Sequence, residues 1–187
     1  MSVDQMASEA MHCRLSYEAL RPLVALSSLR ELMIEWSEQI SLDEDEIEKS
    51  ARSWPLLQVF NFYCGRGGYP PFPTKYPTLL GLLSLVKSYP ELQVVSLPLD
   101  ARQVPVVYEA EVCETKFTCL IVPESPIDQA RPVAEFMFKY LPRVTVVDER
   151  FLRPPGTDVP QIIAYEQAWG QVQRHLNKFH GFTVLTL

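Results

Sequence analysis

Two octets of this chain share one pattern. Ser53-Trp54-Pro55-Leu56-Leu57-Gln58-Val59-Phe60 and Ser88-Tyr89-Pro90-Glu91-Leu92-Gln93-Val94-Val95 both read Ser-aromatic-Pro-x-Leu-Gln-Val-apolar. A looser copy is Lys139-Tyr140-Leu141-Pro142-Arg143-Val144-Thr145-Val146-Val147. A chain made of copies of one short unit is constrained above all by stacking: no unit buries its apolar stripe alone, and each must lie against its neighbours.

The octets lie in a wider frame of apolar residues spaced Leu-x-x-Leu-x-Leu. It appears as Leu29, Leu32, Ile34; as Leu57, Phe60, Phe62; as Leu92, Val95, Leu97; and as Phe117, Leu120, Val122. A decayed fifth copy keeps Val144 and Val147 but has Glu149 at its third position. First positions are offset by 28, 35, 25 and 27 residues, close to the roughly 20–29 residues of a leucine-rich repeat with one long insertion. Eight residues beyond the first four stand Ser37, Gly65, Asp100 and Ser125, small or polar residues suited to the bend after a strand.

Between these strands the apolar period changes from 2 to 3.6. Ser41-Leu42-Asp43-Glu44 is a capping box that opens a helix to about Arg52, with Ile47 and Ser50/Ala51 facing inward. Thr78 to Ser88 puts Leu79, Leu82, Leu83 and Val86 on one helical face, and Pro132 to Tyr140 does the same with Val133, Phe136, Met137 and Tyr140. A last helix from Pro160 to Phe179 stacks Tyr165, Trp169, Val172 and Leu176 and ends at Gly181; Phe182 to Leu187 reads as a terminal strand or capping tail. The expected fold is an α/β leucine-rich-repeat solenoid (a horseshoe) of about five degenerate strand–helix repeats. Its parallel sheet lines the concave face. Residues 1–14 are an N-terminal tail, and 15–187 form one domain with an insertion loop at about 64–77.

Composition narrows the function classes. With 47% apolar and 21% charged residues, the chain of 187 can bury a sizeable core. Seventeen basic against 23 acidic side chains give a net charge of −6, the opposite of a nucleic-acid footprint. The longest apolar run, Leu79 to Val86, falls far short of the ~20 residues of a membrane span. Met1 to His12 has no apolar signal-peptide core. Cys13, Cys64, Cys113 and Cys119 form no Cys-x-x-Cys pair and fit reduced thiols. The expectation is therefore an intracellular protein, cytoplasmic or nuclear, without nucleic-acid or membrane partners.

Three stretches resemble a known family: Leu20 to Leu32, Leu42 to Ile47 followed by Trp54-Pro-Leu-Leu57, and Pro77 to Leu83 followed by Tyr89-Pro-Glu-Leu92 and Leu97-Pro-Leu-Asp100. With the turn Ser125-Pro126-Ile127, they look like the repeat region of fungal F-box/leucine-rich-repeat proteins. The resemblance covers about Leu15 to Phe179. In that family an F-box binds the Skp adaptor of a cullin-RING ubiquitin ligase, and the repeats select the target. Residues 1–14 are too few for an F-box, so adaptor binding is carried over to no residue here, and Skp enters only if an upstream F-box exists. What the resemblance implies for this chain is recognition of a protein or peptide target.

Other motifs read as structure. The carboxylates from Asp43 to Glu46 lack the spacing of a calcium loop and suit the first turn of a helix. Gly65-Arg66-Gly67-Gly68 lacks the Lys-Ser/Thr of a phosphate loop. His175 and His180, five apart, match no metal pair, and three histidines in all leave a hydrolytic triad almost no candidates. Trp54 reads as core, while Trp36, flanked by Glu35, is a candidate rim anchor. No catalytic residue, metal ligand or cofactor is assigned, and the chain is expected not to be an enzyme.

Partner binding is assigned to the concave strand positions Glu31, Met33, Glu35, Val59, Asn61, Tyr63, Val94, Ser96, Cys119 and Ile121. They alternate with the buried frame residues, so a one-residue slip would void the set. The surface is acidic at its N-terminal end and apolar afterwards, which suits a partner with a basic end. Two rival expectations are a truncated or orphan repeat fragment with only a structural role, and a small α/β enzyme, for which the strand–helix alternation alone speaks.

Overall fold

A computed structural model describes residues 17–36, 46, 49–50, 52–64, 76–107, 115–123, 125–144, 146–148 and 160–181. The fold is mixed α/β. Five strands, β1 (Glu31–Trp36), β2 (Val59–Cys64), β3 (Val94–Ser96), β4 (Cys119–Ile121) and β5 (Val146–Asp148), form one parallel sheet in chain order. Helix α1 (Tyr17–Leu20) and a 3-10 turn over Arg21–Ala25 precede the sheet. Helix α2 (Leu79–Ser88) follows β2, α3 (Ala130–Tyr140) follows β4, and α4 (Pro160–Phe179) follows β5.

Strand pairing follows the sequence frame. Leu32, Phe60, Val95, Leu120 and Val147 make one row across the sheet, and Glu31, Val59, Val94, Cys119 and Val146 make the row beside it. Strands β2, β3 and β4 start in the same way. The Arg30 carbonyl accepts from Gln58 N (2.7 Å) and Val59 N (3.0 Å), the Gln58 carbonyl from Gln93 N (2.8 Å) and Val94 N (3.1 Å), and the Gln93 carbonyl from Thr118 N and Cys119 N (both 3.0 Å). Just before β1, β2, β3 and β5, a turn closes on the first frame position. Leu29, Leu57, Leu92 and Val144 each donate to the carbonyl three residues back, at 2.9–3.1 Å.

This turn explains the octet. Proline after the aromatic presets the φ that the turn needs, and the aromatic itself is driven inward: Trp54 and Tyr89 are fully buried. Each then needs a partner for its polar atom. Trp54 Nε1 donates to the Leu23 carbonyl (2.9 Å), the Tyr89 hydroxyl meets Ser50 Oγ (3.0 Å), and in the looser copy the Tyr140 hydroxyl donates to the Val107 carbonyl (3.0 Å). In all three the bond runs back to the preceding copy. Burial pushes the Tyr89 hydroxyl pKa up, so it stays neutral, and the Ser50 bond opposes that shift.

The core fills one side of the sheet. Phe60, Phe62, Val95, Leu97, Leu120 and Val122 are buried, and the Phe60 and Phe62 rings meet edge to face at 4.4 Å. Helix α2 adds Leu79, Leu82, Leu83, Leu85 and Val86, and its first turn is capped by Thr78, whose hydroxyl accepts from Gly81 N. Helix α3 adds Val133, Phe136, Met137 and Tyr140, all expected inward, and starts two residues earlier than its periodicity suggests. Helix α4 has the expected bounds and buries Trp169, Val172 and Leu176.

One departure concerns the strand–helix alternation. Between β3 and β4 the described residues, 97–107 and 115–118, contain no helix. Pro98 and Pro105 remove donors and bias the residues before them toward extended backbone. The chain there makes isolated parallel bridges instead, Thr78 with Asp100 and Ala101 with Ile127. The capping box at Ser41–Glu44, the Gly65–Gly68 motif, the 1–14 tail, Ser37, Cys113, Glu149 and the 182–187 tail lie outside the described residues. Of the helix expected to about Arg52, Glu46, Lys49 and Ser50 are helical, and Ser50 is buried.

Candidate interaction surface

Alternation along a strand puts the residues between the core positions on the opposite face. The register aligns them in two full rows: Glu31, Val59, Val94, Cys119, Val146 and Met33, Asn61, Ser96, Ile121, Asp148. Glu35 and Tyr63 start a third row on β1 and β2; their side chains, like that of Trp36, lie outside the described residues. Of the residues expected to bind a partner, the eight with described side chains, Glu31, Met33, Val59, Asn61, Val94, Ser96, Cys119 and Ile121, therefore sit on one sheet face.

Exposure is uneven across that face. Glu31 is exposed and Met33 is 61% exposed, whereas Val59, Asn61, Val94, Cys119 and Ile121 are half-buried. Ser96 departs from the expectation of an accessible position: it is 1% exposed. The reason is size. Ser96 is flanked in the ladder by Asn61 and Ile121, strands lie roughly 4.8 Å apart, and a hydroxymethyl group between two longer side chains lies below them. Asn61 Oδ1 and Ser96 Oγ are both buried without a hydrogen-bond partner among the described residues. The face is thus apolar and half-covered, with a polar recess at its centre that sequence patterning did not distinguish from its surroundings.

An open cavity of about 490 Å³ lies elsewhere, at the bridges that precede α2 and α3, lined by Thr78, Asp100, Arg102, Gln103 and Asp128. Two of its charged groups, Asp100 and Arg102, are already engaged with each other. Arg102 donates to both carboxylate oxygens of Asp100, Nε at 3.0 Å and Nη2 at 2.6 Å, and its backbone N–H also reaches Asp100 Oδ1. Asp100 N donates in turn to the Pro77 carbonyl, and Ala101 N to the Pro126 carbonyl. Nearby, Ser125, expected at the bend after β4, is buried. Its hydroxyl accepts from Leu99 N (2.8 Å) and donates to the Pro123 carbonyl (3.1 Å). This cluster pins successive loops together.

The side-chain bond from Arg102 holds the Asp100 carboxyl below its ordinary range, against a weaker opposing effect of burial. A lowered folded-state pKa contributes stability above the unfolded value near 4, lost as pH falls through the folded one. Asp100→Asn is therefore expected to be less stable than the parent at pH 7 and nearly equal to it near pH 2. The effect is small because Arg102 is half-exposed. Urea midpoints at the two pH values test this, and an equal deficit at both would assign Asp100 a role independent of charge.

Among the described residues, no group of three His, Cys, Asp or Glu side chains could hold a metal ion, and no helix is long and apolar enough to cross a membrane. The described residues thus define a mixed α/β protein with a chain-ordered parallel sheet. No protein-family model matches the chain, and searches of curated proteins and of solved structures find no match.

Proposed function

We propose that this chain is a protein–protein interaction module of leucine-rich-repeat type, a solenoid whose sheet face recognises a protein or peptide target. On this reading it is the target-selecting part of an F-box-like ubiquitin ligase subunit. The observation that carries the proposal is the register: five parallel strands in chain order align the outward positions of every copy into one continuous face. The turn repeated before β1, β2, β3 and β5 and the bifurcated acceptor repeated at the starts of β2, β3 and β4 support a stack of equivalent units. An apolar, half-covered face with acidic Glu31 and Met33 at one side fits a target with an apolar stretch and a basic end.

A photo-crosslinking side chain placed at Val94 or Ile121 in cells tests this. The expected result is one recurrent adduct from both positions that is absent when the group is placed at Leu80 or Arg131 on the exposed sides of α2 and α3, and lost with Val59→Arg. Equal adducts from face and helix positions would remove the face from the proposal. Accumulation of the captured protein when this chain is depleted would support the ligase role.

A further inference from the structure

The two ends of the sheet are finished differently. At the β5 end, α4 packs against α3 and β5, and Trp169, Val172 and Leu176 are buried beneath it. At the other end, β1 pairs among the described residues with β2 alone. Core positions loosen there. Leu29 and Ile34 are half-buried, whereas their counterparts in the next two copies, Leu57, Leu92, Phe62 and Leu97, are at most 1% exposed. Leu26 is 49% and Met33 61% exposed.

Strand β1 is also a long template. It runs six residues in register with β2, twice the length of β3, β4 or β5. It holds neither proline nor lysine, two residues that commonly blunt a free edge. Its guard is Glu31, with Glu35 four positions further along the strand and Met33 midway between them. Edge-to-edge pairing of two copies across a twofold axis runs antiparallel. Centred on Met33, it would set Glu31 of one copy against Glu35 of the other at both ends, and like charges directly opposite are destabilising. The net charge of −6 adds to that repulsion. The edge is therefore built against its own copy but not against a strand of opposite charge.

We propose that the outer edge of β1, which has no strand beside it among the described residues, takes up an extended segment of a partner protein by strand addition, with Lys or Arg opposite Glu31 and Glu35 and apolar residues over Leu32 and Ile34. Main-chain bonds to the edge give the affinity, and the glutamates select the charge pattern. This inference stands apart from the face reading, because it needs the backbone of β1 and none of the positions on β3 or β4.

The test uses the full chain and three dye-labelled, end-blocked hexapeptides: Lys-Val-Lys-Val-Lys-Val, Glu-Val-Glu-Val-Glu-Val, and the Lys/Val peptide N-methylated along its backbone. The Lys/Val peptide is expected to bind saturably, about tenfold tighter than the Glu/Val peptide, and to slow hydrogen exchange of the amides of residues 31–36. N-methylation should abolish that protection, and the double variant Glu31→Lys, Glu35→Lys should reverse the preference. Three results would overturn the proposal: undiminished binding of the N-methylated peptide, protection that appears away from β1, or wild-type dimers in sedimentation that bury this edge. If the double variant does not fold, exchange on the wild-type chain decides alone.

Discussion

Trp54→Ala is expected to lower folding stability by about 3–5 kcal/mol, the usual cost of emptying a buried aromatic site. The indole has no exposed surface, and its Nε1 donates to the Leu23 carbonyl 31 residues earlier. Two losses therefore coincide: a large void in the hydrophobic core, and a carbonyl left without its donor. Trp54→Phe separates them, since it keeps most of the ring and removes only the N–H, at a cost of about 1–3 kcal/mol. Urea unfolding with an unchanged m-value would report both as changes of stability rather than of denatured-state compactness. A deficit below 1 kcal/mol for the alanine variant would mean that the octet's aromatic does not join one copy to the next.

Why the sequence carried so much of this fold is plain from the same residue. Trp54 and Tyr89 occupy one octet position, are followed by proline, and are buried to the same degree. Local turn chemistry, apolar spacing and stacking all agree there, and such agreement is what makes a pattern legible. The frame offsets of 28, 35, 25 and 27 residues recur as the strand register itself, from Glu31 to Val59, Val94, Cys119 and Val146. Apolar period likewise placed α2, α3 and α4, because each turns one greasy stripe inward.

Polar detail was less legible, since spacing says which side a residue faces and not what it meets. Periodicity turns Ser50 inward, yet nothing in the sequence pairs it with Tyr89, 39 residues on. Spacing makes Ser125 a bend residue, but its hydrogen bond with Leu99 N depends on how two loops lie together. Register puts Ser96 on the open face, and its neighbours bury it there. The lack of a helix among the described residues after β3 has a signal in Pro98 and Pro105, and the sequence reading assigns no helix to that stretch. The candidate site was thus legible as a face and not as a landscape, because depth on a sheet depends on the sizes of residues in adjacent strands.

Trp169→Ala is expected to act as strongly as the Trp54 variant, by about 3–5 kcal/mol, and to act in a different place. Trp169 is 1% exposed and joins α4 to the body through Nε1, which donates to the Ser125 carbonyl at 2.8 Å. The Ser125 hydroxyl serves Leu99, so a single buried residue ties the closing helix, the loop after β4 and the loop after β3. Loss of the indole frees α4 first, because among the described residues the most extensive contacts of that helix with other elements run to α3 and β5. Hydrogen exchange should then quicken across α4 and α3 and at β5 well before β2, whereas in Trp54→Ala the amides of β1 and β2 should lead. Sheets stacked one unit at a time open from the end that has lost its neighbour. Uniform loss of protection across all five strands in either variant would mean that the molecule unfolds as a single unit, with no separable ends.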